Sequence, residues 1–136
     1  MSGGVEVIGL AGITANIEKA MRENRANIGK AISDIGDVAL WESVKRAPKD
    51  AGDLEDSIKK HMGKDVDGTS VAIVIPNNSD AASYALPMHE GIYSLGEDSE
   101  MKQARAGVEV GRKFITRGIE AGKNKYLLIL KKELGV

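Results

Sequence analysis

The stretch Ala47-Pro48-Lys49-Asp50-Ala51-Gly52-Asp53-Leu54-Glu55-Asp56-Ser57-Ile58 decides how this chain folds. Upstream of it the pattern is one strand and one long helix. Downstream it is strands, loops and a closing helix. Ala47 precedes a proline, which pushes its backbone out of the α region, and Pro48 cannot continue a helix ladder. Gly52 is free to take the positive φ that a tight reversal often needs. Asp50, Asp53 and Ser57 can each bond nearby backbone N–H groups. Leu54 and Ile58 lie four apart, so one helical turn places both on one face. Together these residues read as a helix-to-sheet corner, and their acidic side chains alone make no site.

Toward the N-terminus, Ala15 to Arg46 contains no proline. Thr14 is a good N-cap, and Ile17, Met21, Ile28, Ala31, Ile32, Ile35, Val38, Ala39 and Ala47 approximate a helical stripe. Such a helix spans ~48 Å at ~1.5 Å per residue, against a diameter of roughly 37 Å for a domain of this length. Either it breaks near Gly29 or Gly36, or one end leaves its own globule and needs a partner. Val5, Val7, Ile8 and Leu10 suggest a short opening strand.

Toward the C-terminus, Leu54 to Met62 predicts a helical turn feeding a strand, and Asp67-Gly68 is a hairpin signal. Val71-Ala72-Ile73-Val74-Ile75 is the clearest strand, nearly continuously apolar and therefore expected at the centre of a sheet. Tyr84 to Gly91 reads as extended, with Pro87 placing it at an edge or a bulge. Residues 92–111 read as a long loop with a short helix around Met101 to Ala106. Thr116 is expected to cap a last helix, Arg117 to Leu134, whose apolar face is Ile119, Tyr126, Leu127, Leu130 and Leu134, with Gly135 as its C′ residue. The fold class is α+β: a long N-terminal and a C-terminal helix packed on a small, mainly antiparallel sheet, all in one domain over residues 1–136.

Composition narrows the chemistry. The chain has 136 residues and no cysteine, which excludes disulfides, thiolate metal sites and a cysteine nucleophile. No run approaches the ~20 apolar residues of a membrane span. The start lacks the pattern of a signal peptide, so a cytoplasmic origin is expected. Residues 1–101 hold 10 basic and 17 acidic side chains, and residues 102–136 hold 9 basic and 3 acidic. That split suits nucleic acid or a head-to-tail contact between identical subunits, unless folding mixes the segments in space.

Catalytic patterns are weak. His61 and His89 are the only histidines, and His89-Glu90 is the sole local acid–base couple. On a strand the two would point to opposite faces. H-E-x-x-H fails at Tyr93, a calcium loop begun at Asp65 fails at Pro76, and no phosphate-binding glycine motif occurs. No metal and no cofactor are expected. Lys102, Arg105, Arg112, Lys113 and Arg117 could touch phosphates or another subunit, but only Phe114 accompanies them for stacking.

Three motifs in order carry a family resemblance over nearly the whole chain. The corner has the form A-P-x-x-x-G-x-L-x-x-S-I, with Pro48, Gly52, Leu54, Ser57 and Ile58 in place. A Tyr-Ala segment follows and ends in Glu-Gly, here Tyr84-Ala85 and Glu90-Gly91. An aromatic-led segment, Lys113-Phe114-Ile115, enters the last helix. The chain resembles the head–tail joining, or tail-completion, proteins of the neck of long-tailed bacteriophages, the gp10-like type. It departs from them in having Lys113 where proline is common and His89 where an apolar residue is common.

The resemblance implies a structural virion protein of the neck, made in the bacterial cytoplasm, without turnover. It implies a ring, hexameric or dodecameric, between the portal-adaptor-stopper stack and the tail tube or terminator. It implies contact with DNA in passing and none with membrane. A non-specific DNA-binding module built on the basic last third is the alternative.

Overall fold

The computed structural model describes residues 25–49, 53–65 and 68–135. The opening strand at Val5 to Leu10, the cap at Thr14, the stripe positions Ile17 and Met21, and the corner residues Asp50 and Gly52 lie outside them. Arg25 to Arg46 forms one helix, α1, about 33 Å long. It runs unbroken through Gly29 and Gly36, so of the two alternatives the break at these glycines does not occur. The reason at Gly36 is packing. A Cβ there would lie 2.5 Å from Cγ2 of Val71 and 2.6 Å from Cδ of Lys60. The glycine lets the sheet cross the helix closely, and it costs the helix only its propensity.

At Arg46 the helix stops as the corner demands. The Ala47 N–H still bonds the Ser43 carbonyl at 3.1 Å, and Pro48 is fully buried. One helical turn, α2 (Asp53–Ser57), buries Leu54, and Ile58 follows it into the interior. Strands β1 (Lys59–Asp65) and β2 (Gly68–Val74) then form an antiparallel hairpin. Its register sets Asp65 opposite Gly68 and Lys60 opposite Ile73. Strand side chains alternate between faces. Val71 and Ile73 are half-buried on the face that carries Lys60 and meets α1, whereas Ala72 is exposed on the other. β2 therefore has a single strand partner among the described residues and is not central. Alanine misled the reading: it lengthens an apolar run, yet it costs little in water.

Three further expectations change. Tyr84 to Gly91 is not extended: Ala85–Glu90 is a helix, α3. Pro87 fits because it is the third helical residue, where an N–H would have no intrahelical partner. Residues 92–111 are not mainly loop, since Glu97–Ala106 is a ten-residue helix, α4, ended by Gly107 at φ 68. The closing helix is two helices. α5 (Phe114–Ala121) begins ahead of Thr116, and α6 (Lys123–Leu134) follows Gly122. A Cβ at Gly122 would strike the Tyr126 ring at 2.5 Å. Tyr126 folds back there to donate its hydroxyl to the Ile119 carbonyl at 2.8 Å. Gly135, at φ 71, ends α6 as the sequence predicts. The fold is α+β, with six helices and a two-stranded antiparallel sheet among the described residues.

Helices α5 and α6 both pack along α1. The α1–α5 crossing is close. A Cβ on Gly118 would meet Oγ of Ser43 at 2.5 Å and its Cα and N at 2.6 Å. Two of those atoms are backbone, so no side-chain rotation relieves the clash. Gly118→Ala is expected to cost about 3 kcal/mol despite its better helix propensity, read as a lower urea midpoint at unchanged m-value. Gly29→Ala has open space around the new methyl and is expected to be neutral or stabilising.

Candidate functional site

The three motifs, far apart in sequence, meet in one cluster. Ala47, Leu54 and Ile58 of the corner pack with Ala81, Ala85 and Phe114, and Tyr84 and Ile115 border them. Ser57 fixes the joint in two directions. Its hydroxyl donates to the Asp53 carbonyl at 2.6 Å and accepts the Ala81 N–H at 3.3 Å. The sequence gives Ser57 a local bonding role, and the second bond joins segments 24 residues apart. Gly91 ends α3 with its N–H on the Pro87 carbonyl at 2.7 Å, and a Cβ there would collide with that oxygen. The Glu-Gly pair therefore marks a helix end.

Around this joint lies a polar cluster that sequence reasoning set apart wrongly. His89 and Glu90 share α3, not a strand, and His89 Nδ1 lies 3.3 Å from Glu90 Oε1. The Lys113 ammonium pairs with the same carboxylate and, with His89, holds its pKa below the ordinary range. Arg112 Nε donates to the Glu90 carbonyl at 3.1 Å. The Lys113 N–H donates to the His89 carbonyl at 2.7 Å, with Lys113 itself in the left-handed region at φ 61. The His89 ring stands edge-on to Phe114, centroids 5.0 Å apart at 74°. This arrangement ties α3 to the start of α5. Among the described residues no serine or threonine hydroxyl is hydrogen-bonded to His89 or Glu90.

The five basic candidates for an interface or DNA channel do not form one surface. Lys102 is an internal cap, its side chain 14% exposed. Its ammonium donates to the carbonyls of Val44, at 2.6 Å, and Ala47, and pairs with Glu55 at 2.9 Å. Burial lowers its pKa, against the pull of Glu55. Gly111 N–H takes the Arg46 carbonyl at 2.9 Å, so the orphan carbonyls ending α1 are met by side chain and loop. Lys113 is spent on Glu90, and Arg117 pairs with Glu109 at 2.9 Å. Arg112 serves the Glu90 carbonyl. Arg105 is exposed on a cleft of about 310 Å³ shared with Lys49, Asp98 and Met101.

Lys102→Met is expected to lose about 2–3 kcal/mol, because two carbonyls and Glu55 lose a charged partner, while Arg105→Ala changes stability by less than about 0.5 kcal/mol. Equal losses for the two variants in urea titrations would refute the capping role.

The charge halves of the sequence thus interleave. Lys102 meets Glu55, Lys113 meets Glu90, and Lys125 reaches Glu42 at 3.4 Å. Glu42 is the group the sequence hid. It lies on the packed side of α1, 4% exposed, and collects Arg46 at 2.7 Å, Lys45 at 3.1 Å and Lys125. Trp41, beside it, is exposed with the Lys45 ammonium 3.7 Å from its ring centroid. Among the described residues no cluster of three or more histidine or acidic side chains could hold a metal ion. No helix among them is long and apolar enough to cross a membrane. No family model, curated protein sequence or solved structure matches the chain.

Proposed function

We propose that this chain is a structural component of the neck of a long-tailed phage, a ring subunit that joins the head connector to the tail tube or completes the tail. The observation that supports it is the convergence of the three motifs behind the resemblance. Ala47, Leu54 and Ile58, then Ala85, then Phe114 form one buried joint. Motifs that build a shared joint are what a scaffold needs to hold its outer helices for assembly. The pairing of Lys102, Lys113 and Arg117 with carboxylates weighs against a DNA-binding module.

Electron microscopy of the purified protein, alone and with tail tubes and stopper, tests the reading. Rings or capped tube ends are expected. Bare tubes and no rings, with all partners present, would sink it. Binding to mixed-sequence duplex DNA with a steep salt slope would favour the alternative.

A further inference from the structure

The apolar run Tyr126-Leu127-Leu128-Ile129-Leu130 goes all round α6, which is the pattern of a helix covered on every side. Only one side is covered. Tyr126, Ile129, Leu130 and Glu133 are half-buried, with Glu133 bonded to Lys30 of α1 at 2.8 Å. Leu127 and Leu128 point away from α1, 59% and 65% exposed. Lys131 and Lys132, one turn on, are exposed and make no ion pair among the described residues.

A complementary surface lies at the corner that ends α1, past the α6 contact at Glu42. Helices α2 and α4 are tied there by Lys102 to Glu55 and by the Lys49 N–H to Ser99 Oγ at 2.9 Å. Asp53, Asp56, Glu97, Asp98 and Glu100 are exposed around that tie, without ion pairs among the described residues, and Met101 beside them is 47% exposed. α6 lies along α1 from Glu42, met by Lys125, to Lys30, met by Glu133, and the acidic surface is fixed beyond that span, at Ala47. One surface is basic with two leucines; the other sets the five carboxylates against two exposed cations, Lys49 and Arg105, around a methionine.

We infer that the outer face of α6, Leu127 and Leu128 with Lys131 and Lys132, docks on the acidic α2–α4 surface around Met101 of a second copy of this chain. Unlike patches that meet head to tail make a heterologous contact. They generate a head-to-tail series, which closes into a ring or runs on as a filament. The contact deepens the ring reading above by naming the two surfaces.

Charge exchange tests it. Lys131→Glu with Lys132→Glu, and separately Glu97→Lys with Glu100→Lys, change only exposed side chains, and unchanged far-UV circular dichroism serves as the folding control. Sedimentation of the full chain is expected to show concentration-dependent association. Each double variant should weaken it by more than about tenfold, and the equimolar mixture should restore it, because each altered patch then faces its opposite. Leu127→Gln with Leu128→Gln should also weaken it, and its mixture with the Lys131→Glu, Lys132→Glu variant should stay unrestored, because neither chain then carries an intact α6 face. A wild-type chain that stays monomeric, a charge variant that assembles as wild type, or a mixture without rescue overturns the contact. In the first case another partner covers the leucines. The neck reading is judged separately: tube capping without self-association would overturn the contact and keep the reading, and self-association without capping would do the reverse.

Discussion

Phe114→Ala is expected to remove about 3–5 kcal/mol, a large share of the stability of a domain this size. Phe114 is fully buried at the point where corner, α3 and α5 meet. It is the largest of the fully buried side chains and the chain's only phenylalanine, in a core otherwise built of leucine, isoleucine and alanine. Truncation opens a cavity whose walls come from three separate segments, so no single element can relax into it. The edge-on contact with His89 is lost as well. Phe114→Leu keeps most of the volume and is expected to cost about 1–2 kcal/mol. Urea unfolding followed by circular dichroism separates the two. A loss below about 1 kcal/mol for the alanine variant would mean that the joint does not hold the fold together. Ring formation by a folded Phe114→Leu chain should match wild type, since the joint lies away from the outer face of α6.

How far the sequence could be read follows from what each element uses to hold itself. The corner was legible because backbone chemistry dictates it. Proline ends α1, and the four-residue spacing of Leu54 and Ile58 turns both inward. The hairpin and the C′ glycine at Gly135 were legible for the same reason. Of helix α4 only the part from Met101 to Ala106 is legible, because its first half docks through polar groups, with Ser99 on Lys49, and leaves no apolar period to count. α3 was missed because Pro87 argues against a helix unless its position within the helix is known. Gly118 and Gly36 look like weak points of helices until the neighbouring backbone and side chains are placed. Of the proposed interface residues, Lys102 looked like a surface charge because nothing local predicts that it reaches 58 residues back to Val44. The exposed leucines of α6 show the same limit in reverse. Leu127 was assigned to the buried face by spacing, and α1 covers the neighbouring stripe.

Stability should fall steeply below pH 4.5 through Glu42. Burial alone would raise the pKa of this carboxyl, but Arg46, Lys45 and Lys125 outweigh it and hold it down at about 2, against 4.5 for an ordinary glutamate. A depressed folded-state pKa stabilises the fold wherever the unfolded chain would still be charged, so the contribution is complete above pH 4.5 and is lost as pH falls toward 2. The gap corresponds to about 3 kcal/mol at pH 7. Glu42→Gln keeps the shape and removes the charge. It is expected to be about 2–3 kcal/mol less stable than wild type at pH 7, with the difference shrinking below pH 4 and nearly gone only below the folded-state pKa of about 2. Urea titrations of both proteins across that range decide it, and a gap that stays constant with pH would show that the carboxylate is not the titrating group. The effect reaches assembly, because Lys125 belongs to α6 and Glu42 to α1. Protonating Glu42 removes one of the two ion pairs that tie those helices among the described residues, the other being Lys30 with Glu133. Association through Leu127 and Leu128 should therefore weaken below pH 4.5 before the domain unfolds, and Glu42→Gln should show that weaker association already at pH 7.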